Sequence, residues 1–173
     1  MCGIVGFVGK TGSLQVVVDG LKRLEYRGYD SAGVAFVNGR GLEVCKTKGK
    51  LKDLQGMLPD PAPTVRIGLG HTRWATHGGP STVNAHPHRV EGIAVVHNGI
   101  IENYRELKSE LENNGHCFLS ETDTEVVPQL ISRYLKQDLT LKEAIRAAVS
   151  RLRGSYALGI ISENHPDTLF AVR

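Results

Sequence analysis

Strand-like segments come in neighbouring groups along this sequence, with helix-like segments in pairs between them. That order favours antiparallel sheets layered with helices over a doubly wound parallel sheet. Two-layer and four-layer arrangements are both compatible with it. Residues 3–8 are short, β-branched and bounded by Gly9, which reads as a buried strand. Leu14, Val17, Val18, Leu21 and Leu24 fall at helical spacing behind Ser13 as N-cap, in a helix expected to stop before Gly28. Residues 32–37 and 42–48 are predicted strands joined at the hairpin signal Asn38-Gly39-Arg40-Gly41. A short helix is expected over 50–58, a stiff proline-rich surface connection over 59–63, and a third strand over 65–71.

The segment 72–92 has no secondary-structure pattern, and that length in a compact domain marks a functional loop or disorder. Residues 93–97 read as a strand ending at Asn98-Gly99. A helix over 102–114 is closed by Gly115, and a short strand is expected at 116–119. A helix over 123–136 takes Thr122 or Asp123 as cap, with Pro128 in its first turns. Thr140-Leu141-Lys142-Glu143 has the capping-box pattern for a helix that runs to Gly154. A last hairpin joins 155–162 to 168–172 around Asn164-His165-Pro166-Asp167.

Length and charge narrow the class. The 173 residues suit one domain with a real core. A net charge of +3 on scattered basic residues leaves no nucleic-acid footprint, and no apolar run approaches a membrane span. Cys2, Cys45 and Cys117 are odd in number without paired spacing, and no secretory signal opens the chain. The expectation is a protein of the cytoplasm with reduced thiols.

Cys2 becomes the N-terminal residue if Met1 is removed, and thiol and free α-amine then share one carbon. An α-amine has a pKa of about 7.7–8.0, so part of it is unprotonated at neutral pH and can accept the thiol proton. Gly3 removes side-chain bulk beside that nucleophile. Asn98 and Gly99 follow a buried strand, where an amide and an N–H can converge on a developing oxyanion. A plain Asn-Gly turn is the other reading, although a helix rather than a strand follows. Arg73 suits a bidentate carboxylate clamp, Trp74 a cover, and Gly78 and Gly79 the hinges of a moving lid. Asp123 is either a helix cap or the partner of a substrate ammonium. Five of the seven histidines lie between residues 71 and 97, and His86-Pro87-His88 is the sharpest pair for a metal. Zinc wants three or four ligands at compatible spacing, and no cysteine lies nearby in sequence, so no metal is expected.

Five stretches carry a resemblance: 1–6 (MCGIVG), 23–33 (RLEYRGYDSAG), 71–78 (HTRWATHG), 97–103 (HNGIIEN) and 120–125 (SETDTE). In this order and spacing the chain resembles the class II glutamine amidotransferases, which are N-terminal-nucleophile hydrolases. Within that class it is similar to the glutaminase domain of the glutamine–fructose-6-phosphate aminotransferases, the glucosamine-6-phosphate synthases. Trp74 and the wording of 26–33 favour these over the amidophosphoribosyltransferases.

The resemblance implies an α+β fold, a four-layer αββα sandwich of two antiparallel sheets. It implies glutamine hydrolysis with Cys2 as nucleophile and its own α-amine as base, and an oxyanion hole of Asn98 and Gly99. It places Arg73 on the substrate α-carboxylate with Thr76 and His77, Asp123 on the α-amine, and Trp74 in the closing loop. No cofactor is implied. L-glutamine is the expected partner, with a sugar-phosphate isomerase domain and a homodimer in the full-length enzyme. By the same likeness residues 1–173 are one type-2 glutamine amidotransferase domain, incomplete at its C-terminus. The other readings are the glutaminase half of another class II amidotransferase, or a non-catalytic metal- or ligand-binding module built on the histidines.

Overall fold

The computed structural model describes residues 2–173; Met1, whose removal an N-terminal nucleophile requires, lies outside the described residues. The chain runs β1 (Gly3–Ser13), α1 (Gln15–Lys22), β2 (Ser31–Asn38), β3 (Gly41–Lys48), α2 (Leu51–Met57), β4 (Thr64–Arg73), β5 (His88–Val90) and β6 (Ile93–Ile101). It continues with α3 (Tyr104–Asn113), α4 (Val126–Leu135), α5 (Leu141–Arg151), β7 (Gly154–Ser162) and β8 (His165–Val172). The first sheet has the order β1-β4-β2-β3 and the second β5-β6-β7-β8, every pairing being antiparallel.

Three apolar layers hold these elements together, and strand alternation builds them. Ala35 and Val37 of β2 point inward with Ile67 and Leu69 of β4, against Ala94, Val96 and Ile161 of the second sheet. Val34 and Phe36, one position out of phase, face outward onto Leu14, Val17 and Leu21 near α1 and Leu51 and Leu54 of α2. On the other side Val95, Leu158 and Ile160 meet Leu107 and Leu111 of α3, Leu130 of α4 and Ile145 of α5. The result is helix, sheet, sheet, helix, the four-layer sandwich that the resemblance implies. Glu110 ties the outer helices, taking Arg133 of α4 at 2.6 Å and Arg151 of α5 at 2.5 Å.

Several boundaries differ from the sequence expectations. β1 passes through Gly9 to Ser13, because ladder pairing with β4 resumes at Gly12 after a register shift. β6 does not end at Asn98-Gly99 but runs on to Ile101, since β7 pairs along its whole length. Residues 116–119 are not a strand. They lead into a tight connection held by Glu125, which accepts from Leu119 N at 2.9 Å and Ser120 N at 2.6 Å. α4 starts at Val126, so neither Thr122 nor Asp123 caps it. The segment expected to be irregular from Thr72 begins only after Arg73 and contains β5, and His165 to Asp167 belong to β8 rather than to a turn.

Candidate functional site

The pairing of β1 with β4 sets Gly3 opposite Thr72, which carries Cys2 to the place where β4 gives way to a loop. Trp74 N donates to Cys2 Sγ at 3.2 Å, and the Trp74 carbonyl oxygen lies 3.5 Å from the same sulfur. From the second sheet, Asn98 Nδ2 donates to the Cys2 carbonyl oxygen at 3.4 Å. A cavity of about 510 Å³ opens here, lined by Cys2, Arg73, Trp74, Thr76, Asn98, Gly99 and Asp123 among others. Seven of the eight residues singled out from sequence therefore share one cavity. Its size suits a small molecule such as an amino acid.

Each lining residue has a local reason for its place. Gly99 has φ of 120°, and a Cβ there would lie 2.1 Å from Ser155 O on β7, so only glycine fits. Arg73 is 3% exposed. Its Nη2 donates to Gly78 O at 2.9 Å and to His77 O, whereas Nη1 has no partner among the described residues. Burial works against its charge, and Asp30 and Asp123 offset that cost. Asp123 is held by Ile101 N, which donates to Oδ2 at 2.9 Å. Trp74 is 56% exposed, its ring reaching towards Gly28.

His77 is the expected site residue that does not line the cavity. Its carbonyl serves Arg73, and its ring stands edge-on to Tyr104 at 5.1 Å. Other residues enter to which the sequence assigns no part in this site, His86 standing out there only as a metal candidate. His86, His97 and Thr124 line the cavity as well. Thr124 Oγ1 meets His86 Nε2 and His97 Nδ1, both at 2.8 Å, and Thr122 Oγ1 meets His88 Nε2 at 3.0 Å. Burial pushes His86, His88 and His97 below their ordinary value and His71 to about 4, leaving a layer of neutral rings beneath the site. Asp30 fixes the turn after β4: its N–H donates to Arg73 O at 2.8 Å, and its Oδ2 accepts from Ala75 N at 2.5 Å.

The described residues include no helix long and apolar enough to cross a membrane. The family model of the glutamine amidotransferase domain matches residues 81–173. The chain is 57% identical over its whole length to a glutamine–fructose-6-phosphate aminotransferase [isomerizing] of Symbiobacterium thermophilum and 53% identical to that of Clostridium perfringens. It spans 28% of the length of each of these relatives. Among solved structures it is similar to the glutamine phosphoribosylpyrophosphate amidotransferase of B. subtilis. That match has a TM-score of 0.79 at 31% identity, over 94% of this chain and 35% of the other. An allosteric regulatory enzyme of purine biosynthesis matches with a TM-score of 0.80 at 32% identity, over 94% of this chain and 36% of the other. With its two antiparallel sheets, its flanking helices and the match over residues 81–173, the chain belongs to the glutamine amidotransferase domain family.

Proposed function

We propose that residues 1–173 form the glutaminase domain of a glutamine–fructose-6-phosphate aminotransferase, with Cys2 as its nucleophile. The observation that carries this reading is that Cys2, Asn98 and Gly99 line one cavity together with Arg73 and Asp123, Asn98 reaching Cys2 directly. Removal of Met1 frees the α-amine. The Cys2 thiol then gives its proton to that amine as sulfur attacks the side-chain carbonyl carbon of glutamine. The oxygen gains the negative charge and is met by Asn98 Nδ2 and the Gly99 N–H. As the C–N bond breaks, the α-amine passes the proton to the leaving nitrogen and ammonia departs. Water, activated by the same amine, cleaves the thioester to glutamate and restores the thiol. No cofactor or metal takes part in these steps.

Arg73, with Thr76 and the His77 carbonyl behind it, holds the α-carboxylate, and Asp123 holds the α-ammonium. Trp74 closes over the bound amino acid. In the full-length protein the ammonia serves amination of fructose 6-phosphate on a sugar-phosphate isomerase domain. That protein is a homodimer of the cytoplasm. The names of the relatives support the acceptor, and the free thiols Cys2, Cys45 and Cys117 fit a reducing compartment.

Two variants test the nucleophile. Cys2→Ala should abolish glutamate formation and keep glutamine binding, because the charged ends of the substrate are held elsewhere. An uncleaved N-terminal extension keeps the thiol but turns the base into an amide nitrogen, and should be equally inactive. Turnover by the extended protein, shown intact by mass spectrometry, at the rate of the form with Cys2 exposed would overturn the mechanism.

A further inference from the structure

The orientation of the Asn98 amide is decided across the sandwich, from β4. His71 Nε2 lies 3.0 Å from the backbone oxygen of His97 and 2.9 Å from Asn98 Oδ1. A backbone carbonyl only accepts, so Nε2 carries the ring proton. An N–H at that point excludes the flipped amide, whose NH2 would set donor against donor. The carbonyl of His97 thus fixes the tautomer of His71, and the tautomer fixes the amide. Nδ2 is left towards Cys2, donating to its carbonyl oxygen at 3.4 Å.

The surroundings make the arrangement one-way. His71 is fully buried, and its ring lies 4.5 Å from that of His86, centroid to centroid. Its Nδ1 has no partner among the described residues, as suits a bare ring nitrogen that needs no acceptor. Burial holds the ring neutral down to about pH 4, so the tautomer persists wherever an α-amine base works.

We infer that His71 is a positioning residue for amide hydrolysis: its Nε2–H locks the Asn98 carboxamide so that Nδ2, and not Oδ1, faces the oxygen that becomes negative. This rests on Asn98 being an oxyanion donor. A flipped amide would aim a lone pair at the developing charge, turning a stabilising contact into a repulsive one.

Glutamine hydrolysis by the full chain, with Cys2 exposed, tests this in four variants. His71→Leu should lower kcat by about 10²-fold, the cost of losing one oxyanion donor, with KM nearly unchanged. His71→Gln places an amide N–H the same number of bonds from Cβ and should recover most of the rate. Should His71→Leu not fold, His71→Asn keeps a polar group too short to reach Asn98 and should show the same loss. In an Asn98→Ala background His71→Leu should add almost nothing, because the group it acts through is gone. Alkylation of Cys2 by iodoacetamide develops no oxyanion and should proceed at the wild-type rate in His71→Leu, whereas a general distortion would slow it. Wild-type kcat in both His71→Leu and His71→Asn, or losses that multiply in the double variant, would overturn the positioning role. Wild-type turnover by Asn98→Ala would instead overturn the reading of Asn98 beneath it.

Discussion

Arg73 is a buried cation whose two terminal nitrogens have different partners. One holds the carbonyls of His77 and Gly78, and the other is buried with no partner among the described residues. Among the described residues no carboxylate forms an ion pair with it. A buried guanidinium without a paired anion is costly unless a ligand supplies one. Arg73→Ala should therefore reduce kcat/KM for glutamine by roughly 10- to 100-fold, the worth of a charge-assisted hydrogen bond. The variant also unties the loop, so glutaminamide, which lacks the carboxylate, is the control. Wild-type protein should prefer glutamine strongly and the variant hardly at all; an undiminished preference would place the carboxylate elsewhere. The expected residues that line the cavity are those whose chemistry is local, such as a thiol at position 2 or an Arg at the end of β4. His71, His86, His97 and Thr124 were not legible, because their partners lie 27 or 38 positions away. His71 meets Asn98 of the other sheet, and the rings of His86 and His97 meet Thr124 in the connection before α4. His86 and His88 drew attention as metal ligands by spacing, yet each ring meets a threonine hydroxyl that no spacing rule encodes.

The loop between β4 and β5 is tied down unevenly. Lys46 of β3 donates to Val83 O at 2.9 Å and Ala85 O at 2.7 Å. Asn84 donates to Gly79 O at 2.9 Å and accepts from Glu121 N at 3.0 Å. Gly78 is part of this framework: its φ is 71°, and an added Cβ would lie 2.7 Å from Asn84 Nδ2. It is a pinned turn rather than a free hinge. Exposure reaches from Trp74 to Val83, but the backbone from Val83 onward is held by Lys46 and Asn84, so closure over a ligand is a local movement of the part before them. Hydrogen exchange with a glutamine analogue should gain protection over residues 74–77 and change little over 81–88. Equal gains across both segments would mean that the whole loop moves. Elements with local signals were legible: Thr140 and Glu143 cap α5 reciprocally, and Asn38 to Gly41 turn the first hairpin. Strand ends were less so. Asn98-Gly99 has the composition of a turn, but nine residue pairs with β7 carry the strand through it. Residues 116–119 have strand-like composition but pair with no strand among the described residues.

At the scale of the whole molecule, the sandwich closes over a layer of histidines that it keeps neutral. His71 comes from β4, His88 from β5 and His97 from β6, with His86 just before β5. Desolvation is the leading cause at each, and Arg73 and Lys46 add repulsion, while Asp123 works the other way at His97. Each ring is depressed below its ordinary value of 6.5, so the unfolded chain binds protons that the folded one refuses. The unfolded state then holds more protons wherever pH lies below 6.5 and above the folded value, and stability rises with pH there. Stability from this layer is complete above about pH 6.5 and is lost as pH falls towards 4. From His71 alone the loss between pH 7 and pH 5 is on the order of 2 kcal/mol. Depressed carboxylates such as Glu110 and Glu91 act at lower pH, because their unfolded value is 4.5. Urea unfolding between pH 7 and pH 5 should therefore show a falling free energy, and His88→Gln, whose amide can still reach Thr122, should flatten the slope. A flat wild-type profile over that window, or the same slope in the variant, would mean that the layer is charged or solvated and that the site is not built on a neutral floor.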